Sequence, residues 1–310
     1  MAITRIILNP TADKGRAAAQ IPTVMAELQR RGIEPHLVLT EYAGHAIALA
    51  TQAARDGVEL LVAAGGDGTV NEVLNGVMAV EPRPAIAVLP IGRGNDFAFG
   101  MGIPPDLPGA CDALAAGHRR TIDVGHAAGG DSPNGRYFGN GVGIGFDAIV
   151  GFEADKLRFV SGFLGYIVAA LKTITLYHRG PAVTLDFTDL ATQQEATVSL
   201  QMLMLSIMNG RRMGGGFMMA PDGNPTDGAF HLCLAAQMRR ASVLSMIPHF
   251  MNGTQTGRAG ITTIRTQQIV VTATKGTLPA HADGETLCTQ GRRLELTLLP
   301  AQLEVVTLDI

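Results

Sequence analysis

The sequence has few cysteines and no apolar run long enough to cross a membrane. Its three cysteines, Cys111, Cys233 and Cys288, are widely spaced and form no Cys-x-x-Cys pair, which argues against a disulfide framework or a zinc site. The longest apolar stretch covers only thirteen residues, 159–171, whereas a bilayer-spanning helix needs about twenty. We therefore expect reduced thiols in a cytoplasmic protein without a transmembrane segment.

Strong charge of either sign is also missing. The formal net charge is −3 over 310 residues, so the chain has no broad basic field and we do not expect nucleic acid as a partner. Apolar residues make up 46% of the sequence, which excludes a disordered chain. A chain of this length is long for one ordinary core and favours two domains.

The first part of the chain alternates short apolar runs with helical patterns. Strands are predicted over 5–8, 36–39, 60–64, 85–89 and 121–124, and helices over 16–31, 44–56, 70–78 and 108–116. Such alternation is typical of a parallel sheet with helices on both faces. We therefore predict a Rossmann-like α/β domain over 1–125.

The pattern changes after that point. An exposed loop is predicted over 128–135, strands over 182–187, 198–207, 229–234, 268–274 and 293–299, and helices near 155–177 and 239–251. Strands that follow one another with few helices between them favour an antiparallel arrangement. We predict a mostly antiparallel β-sandwich as the C-terminal domain, over 126–299, and interpret Gly143-x-Gly145 as a structural bend.

A glycine-rich turn after the third predicted strand is the strongest functional signal. Gly66, Asp67, Gly68 and Thr69 stand where an apolar strand gives way to a helical pattern. Glycines allow close approach of a ligand, and the amides at a helix start attract anions. The turn is neither a P-loop nor the dinucleotide fingerprint. A phosphate cradle and a plain tight turn both stay open at this point.

A second turn of the same kind follows the next strand. The residues after 85–89 read Pro-Ile-Gly-Arg-Gly-Asn-Asp, with Arg93, Asn95 and Asp96 beside two glycines. Ligands of parallel sheets bind outside the carboxyl ends of the strands. Since both turns lie at such ends, we expect a nucleotide there.

Together the two turns resemble the signature of the diacylglycerol kinase superfamily, GGDGTxNE and PxGTxND. The first motif is matched in full, and the second is matched except that Arg93 replaces Thr. Further resemblances follow in the same order: the loop at 9–15, Thr40 with 44–46, Asn209-Gly210-Arg211 and Asp283-Gly284-Glu285. Along nearly its whole length, the chain is most similar to the bacterial YegS-like lipid kinases.

The resemblance implies an NAD kinase/diacylglycerol kinase type of fold in which residues 300–310 return to the first domain. It also implies an ATP- and Mg²⁺-dependent kinase that phosphorylates the hydroxyl of diacylglycerol, phosphatidylglycerol or a similar lipid at the membrane surface. A sphingoid-base, ceramide or soluble-acceptor kinase, an NAD kinase and a catalytically silent lipid-binding module remain alternatives. A homodimer is also left open.

The resemblance extends to individual site residues. It implies nucleotide contacts from Thr40, Gly66, Asp67, Gly68, Thr69, Val70, Asn71, Glu72, Arg93 and Asn95. At Arg93, where the family has Thr, a long bidentate cation suited to phosphate replaces a short hydroxyl. The nucleotide contact at this position is therefore open.

Carboxylates are the candidate metal ligands and bases. Asp67 and Asp96 suit Mg²⁺, and by resemblance Asp123 joins them. The resemblance also implies a second, structural cation on Asp227 and on the main-chain carbonyls of Asn224 and Ala229, with an unmetallated turn as the alternative. It identifies Glu285 as the catalytic base, Asp283 as second choice, and Asp67 as a catalytic residue. Taken by itself, Asp283-Gly284 predicts only a hairpin turn.

Overall fold

Two units make up the chain in the computed structural model, which describes residues 4–34, 36–157, 163–177 and 179–308. The first unit contains Met1–Ile122 and Ala301–Ile310, and the second contains Asp123–Pro300. The boundaries predicted from the sequence are 125/126 and 299/300. Strand β5 (Arg119–Gly129) runs from the first unit into the second, and β15 (Arg293–Val306) runs back.

The first unit is a parallel α/β sheet. Its remaining elements are β1 (Thr4–Leu8), a short 3-10 helix (Ala12–Gly15), α1 (Arg16–Arg30), β2 (His36–Leu39), α2 (His45–Arg55), β3 (Leu60–Gly65), α3 (Asp67–Met78), β4 (Ala85–Pro90), α4 (Asp96–Gly100) and α5 (Leu107–Ala116). The strands lie in the order β4-β3-β1-β2, all parallel. Both β3 and β4 are buried along their whole length, as parallel strands covered on both faces are. The predicted α/β architecture is confirmed.

The end of β15 belongs to this parallel sheet. Val305 pairs with Ile86 of β4 in the parallel direction. Beyond the strand, the Thr307 amide donates to the carbonyl of His118 (2.9 Å). The last strand therefore extends the sheet on the β4 side.

The second unit is antiparallel. Its remaining elements are β6 (Ser132–Phe138), β7 (Gly141–Gly145), α6 (Phe146–Lys156), α7 (Phe163–Leu176), β8 (Ala182–Asp189), β9 (Gln194–Met208), β10 (Phe230–Ala236), α8 (Arg240–Asn252), β11 (Ile261–Thr266), β12 (Gln268–Lys275), β13 (Leu278–Ala282) and β14 (Glu285–Gly291). The first half of β9 pairs with β8 and its second half with β7 and β10. Phe138 and Phe230 stack in the core with ring centroids 5.5 Å apart. The predicted β-sandwich is confirmed.

Three local predictions in this unit are wrong. The segment 128–135 is not a loop, because most of it belongs to the hairpin of β5 and β6. The Gly143-x-Gly145 segment is not a bend but the strand β7, which leads directly into α6. The helix predicted near 155–177 is two helices, and its residues 158–162 lie outside the described ranges. Glycine-rich β7 has weak strand propensity of its own; pairing with β9 and β13 stabilises it.

Within the described ranges, no helix is long and apolar enough to cross a bilayer.

Candidate active site

The two glycine-rich turns of the first unit lie against each other. A Cβ added to Gly92 would lie 2.2 Å from the Cα of Gly66, so only glycine allows this approach of the two backbones. Across the contact, the Phe97 amide donates to Asp67 Oδ1 (3.0 Å). Thus one carboxylate joins the start of α3 to the start of α4.

The N-terminus of α3 provides the phosphate-binding geometry. The helix begins at Asp67, earlier than predicted, so Gly68 and Thr69 lie in its first turn. Amides of a first helical turn have no partner inside the helix and favour an anion. Thr69 is buried, and its Oγ1 accepts from Asn9 Nδ2 (3.2 Å) at the end of β1. The carboxyl ends of β1 and β3 therefore meet at this turn.

Asn95 maintains the second turn. It adopts a left-handed conformation (φ 53°), and its Nδ2 donates to the carbonyls of Pro90 and Gly92. Asp96, the first residue of α4, is buried, whereas Arg93 is exposed. The Arg93 side chain is therefore accessible to a ligand from solvent.

Two predicted nucleotide contacts have buried side chains. Val70 is 3% exposed and Asn71 is fully buried, and the Asn71 carbonyl accepts from Asn75 Nδ2 (2.8 Å). A ligand that approaches from solvent does not reach either side chain in this conformation.

Glu72 has a structural role that the sequence does not reveal. Its carboxylate accepts from the amides of Gly44 (2.8 Å) and Ala46 (3.1 Å) and so caps α2, whose own N-cap residue is a glycine. Glu72, the last residue of GGDGTxNE, is thus hydrogen-bonded to the Gly44-His45-Ala46 motif.

Thr40, also predicted to contact the nucleotide, is buried, and its amide donates to the carbonyl of Leu8.

We expect Glu72→Ala to lower the free energy of unfolding by about 2–3 kcal/mol, because two amides at a helix N-terminus lose a charged acceptor. Urea unfolding followed by far-UV circular dichroism measures the change. Glu72→Gln keeps one acceptor oxygen, so its free energy of unfolding should lie between those of the wild type and Glu72→Ala. An alanine variant as stable as the wild type would contradict the capping role.

The Asp283-Gly284 pair forms the predicted hairpin turn between β13 and β14. Both residues have positive φ, 48° and 87°, as a two-residue type I′ turn requires. The buried Asp283 carboxylate accepts from the amides of Gly139, Asn140 and Gly141 at 2.8–3.0 Å. These three hydrogen bonds join the Asp283 carboxylate to the backbone that leads into β7.

Glu285, the first residue of β14, is open to solvent. Its side chain is 39% exposed, and its Oε2 lies 3.7 Å from Arg136 Nη2 on β6. A carboxylate that solvent reaches is also accessible to a substrate hydroxyl, as a general base has to be. No local sequence pattern indicates Arg136 as the neighbour of Glu285.

A buried polar network contacts the other side of the Asp283-Gly284 turn. His281 Nδ1 accepts from the Gly284 amide (3.3 Å), and His281 Nε2 lies 4.0 Å from Asp147 Oδ1. Asp147 Oδ2 accepts from Ser206 Oγ (2.6 Å). Burial raises the pKa of Asp147, while His281 and the Ser206 hydroxyl act in the opposite direction. The turn before Glu285 is therefore fixed from two sides.

Asp123 is bonded within the second unit. Its Oδ2 accepts from the Gly228 amide (2.8 Å), and its own amide donates to the carbonyl of Pro225 (2.7 Å). The carboxylate thus stabilises the loop before β10.

The implied structural metal does not fit the loop around Asp227. Asp227 Oδ2 lies 2.8 Å from Arg265 Nη2 and 3.0 Å from His231 Nε2, and Oδ1 accepts from the Ala229 amide (3.1 Å). The Asn224 carbonyl is the acceptor for the Asp227 amide (3.4 Å). Arg265 supplies the positive charge that a divalent cation would bring.

We expect EDTA to leave the thermal midpoint of the protein unchanged, because Arg265 rather than a cation neutralises Asp227. Differential scanning fluorimetry of wild type and Asp227→Asn, each with and without EDTA, measures this. A midpoint that EDTA lowers in the wild type but not in Asp227→Asn would show a metal at this loop.

Both units match known protein families. Residues 4–127 match the family described as diacylglycerol kinase catalytic domain, and residues 140–307 match the YegS C-terminal NAD kinase beta sandwich-like domain.

The similarity to individual relatives covers most of the chain. A diacylglycerol kinase of Bacillus subtilis (strain 168) is 32% identical over 251 residues, which cover 80% of this chain and 78% of the relative. A diacylglycerol kinase of Staphylococcus saprophyticus is 30% identical over 240 residues, which cover 77% of this chain and 74% of the relative. A crystal structure of a protein from Bacillus anthracis str. Sterne has 22% identity and a TM-score of 0.76, and the match covers 98% of this chain and 96% of that chain. The last likeness shows a shared fold.

Proposed function

The chain belongs to the diacylglycerol kinase family and is a phosphotransferase with an alcohol acceptor, and on this premise we propose that it transfers the γ-phosphate of ATP to a lipid hydroxyl. The proposed acceptor is a glycerolipid, diacylglycerol or phosphatidylglycerol, at a membrane surface. The observation that carries the proposal is the pair of glycine-rich turns joined through Asp67 and the Phe97 amide.

Nucleotide phosphates would bind at the N-terminus of α3. The amides of Gly68 and Thr69 lie in its first turn, where the helix dipole favours negative charge. The exposed Arg93 would add a bidentate cation to the phosphates.

The donor set at these turns fits Mg²⁺. Asp67 and Asp96 would hold it with carboxylate oxygens, the ligands that this hard cation prefers. Within the described ranges no three His, Cys, Asp or Glu side chains form a ready cation site, so phosphate oxygens would complete the coordination. When bound, Mg²⁺ would neutralise charge on the β- and γ-phosphates.

Glu285 would be the general base. As the lipid oxygen bonds to the γ-phosphorus, its proton moves to the Glu285 carboxylate, and the bond from the γ-phosphorus to the bridging oxygen of ADP breaks. Arg136, 3.7 Å from Glu285, would hold the carboxylate in place. The hydrogen bonds to Asp283 and His281 would fix the turn that carries it.

The test is Mg²⁺-dependent transfer of labelled γ-phosphate from ATP to lipids in mixed micelles. The panel contains diacylglycerol, phosphatidylglycerol, sphingosine and ceramide, with Glu285→Gln and Asp67→Ala run in parallel. A labelled glycerolipid that is missing with both variants supports the proposal. Label on sphingosine or ceramide alone would contradict the glycerolipid acceptor, and ATP binding without any labelled lipid would contradict lipid kinase activity.

A further inference from the structure

The helix α7 has an apolar face where a surface helix normally has a polar one. Its sequence, FLGYIVAALKTITL, is apolar on all sides apart from Lys172 and threonines, a composition typical of a helix that is buried or in contact with lipid. Yet Leu164, Val168 and Leu171 are 66%, 42% and 45% exposed. At spacings of four and three residues, these side chains form one stripe.

The neighbouring helix α8 continues this surface. Arg240 Nη2 donates to the Thr175 carbonyl (3.0 Å), which ties the start of α8 to the end of α7. Leu244 and Met251 on α8 and Leu176 on α7 are also exposed. Of the nine exposed large apolar side chains in the described ranges, six lie on these two helices. Such a concentration marks an interaction surface, which we name the α7–α8 face.

The charge of the α7–α8 face is positive, although the whole chain is acidic. Neither helix contains Asp or Glu, whereas Lys172, Arg239 and Arg240 lie on or beside them. Lys172 is paired with Glu153 of α6, which Lys156 also neutralises. Basic side chains around apolar ones are complementary to anionic lipid headgroups.

The inner sides of the same helices line an apolar cavity. Its walls include Ala170 of α7 and Val243, Met246 and Phe250 of α8, with Asp147 as the charged residue in the lining. The cavity volume is about 70 Å³. Its apolar lining suits part of an apolar ligand.

We propose that the α7–α8 face docks on an anionic membrane surface, so that an acyl chain of the lipid acceptor enters the cavity behind it. The acyl-chain assignment rests on the proposed lipid kinase function, whereas the docking rests on the exposed apolar stripe and its basic border. The side chains of Leu164 and Leu171 insert among the lipids, and Arg239 contacts the headgroups.

Co-sedimentation of the full chain with vesicles tests the docking without any catalysis. Vesicles of phosphatidylcholine with phosphatidylglycerol are compared with pure phosphatidylcholine, using wild type, Leu164→Gln/Leu171→Gln and Arg239→Gln. The double variant should bind the anionic vesicles about tenfold more weakly or worse, because two leucine side chains no longer insert among the lipids. Arg239→Gln should bind them about fivefold more weakly and bind neutral vesicles as the wild type does. Leu39→Gln, which changes an exposed leucine of β2, is the matched control.

Each other outcome overturns the proposal. Equal binding of wild type and double variant would exclude this face as the membrane contact. A wild-type dimer that the double substitution converts to a monomer in analytical ultracentrifugation, without vesicle binding, would identify it as an interface between two copies.

Activity on two forms of the acceptor separates docking from catalysis. The double variant should lose activity on vesicle-embedded lipid and keep it on a dispersed short-chain lipid. Absence of turnover on either form by the wild type, with vesicle binding intact, would refute the proposed function and leave the docking in place.

Discussion

Glu285→Gln is expected to lower kcat by about 10²–10⁴-fold, the effect of a positioned general base. Glutamine has the shape of glutamate but cannot take the proton of the lipid hydroxyl. The KM for ATP should change little, because nucleotide binding is assigned to the turns at Gly66 and Gly92. Steady-state kinetics with saturating lipid in mixed micelles measures both constants.

The Glu285 variant should fold normally, since its side chain is 39% exposed and its ion pair with Arg136 spans 3.7 Å. The thermal midpoint therefore serves as a control for folding. Glu295→Gln is the matched control, since Glu295 is another half-exposed glutamate of the second unit paired with an arginine, Arg293. If Glu285→Gln kept its kcat, or if Glu295→Gln lost as much, Glu285 would not be the base.

Asp283→Ala is expected to lower the free energy of unfolding by about 3–5 kcal/mol, because a buried charged acceptor is removed from its partners. The amides of Gly139, Asn140 and Gly141 would lose their common acceptor. Alanine would also have to adopt φ 48°, which L-residues other than Asn and Asp disfavour. At about 2–4 °C per kcal/mol for a domain of this size, the thermal midpoint should fall clearly.

Asp283→Asn separates the two causes of this loss. Asparagine tolerates the left-handed conformation and keeps one acceptor oxygen, so its stability should lie between those of wild type and Asp283→Ala. Thermal unfolding and urea titration of the wild type, Asp283→Asn and Asp283→Ala measure their order of stability. An alanine variant as stable as the wild type would show that the three hydrogen bonds contribute little.

Patterns within the sequence predicted the elements of the first unit well. His36–Leu39 has the predicted bounds, and β3 and β4 each extend one residue beyond theirs. Apolar strands punctuated by glycine turns are local signals, so no distant partner is needed to recognise them. Asp283-Gly284 predicted its hairpin for the same reason: the turn type depends on the backbone freedom of two residues.

Other features depend on partners far away in the chain. Strand β7 is too rich in glycine to be recognised alone and exists because β9 and β13 pair with it. No local signal shows that Glu72 caps α2, or that Arg265 neutralises Asp227. In each case the deciding contact joins residues 26 or more positions apart.

The sequence by itself thus determined the main strands and helices of the first unit, the two glycine-rich turns and the motifs that resemble a kinase family. Only the tertiary structure decided which donors each carboxylate accepts hydrogen bonds from. Asp67 accepts from the Phe97 amide, whereas Asp283 accepts from three amides. The physical reason is that turn and strand preferences act between neighbours along the chain, whereas a buried carboxylate must find its donors in space.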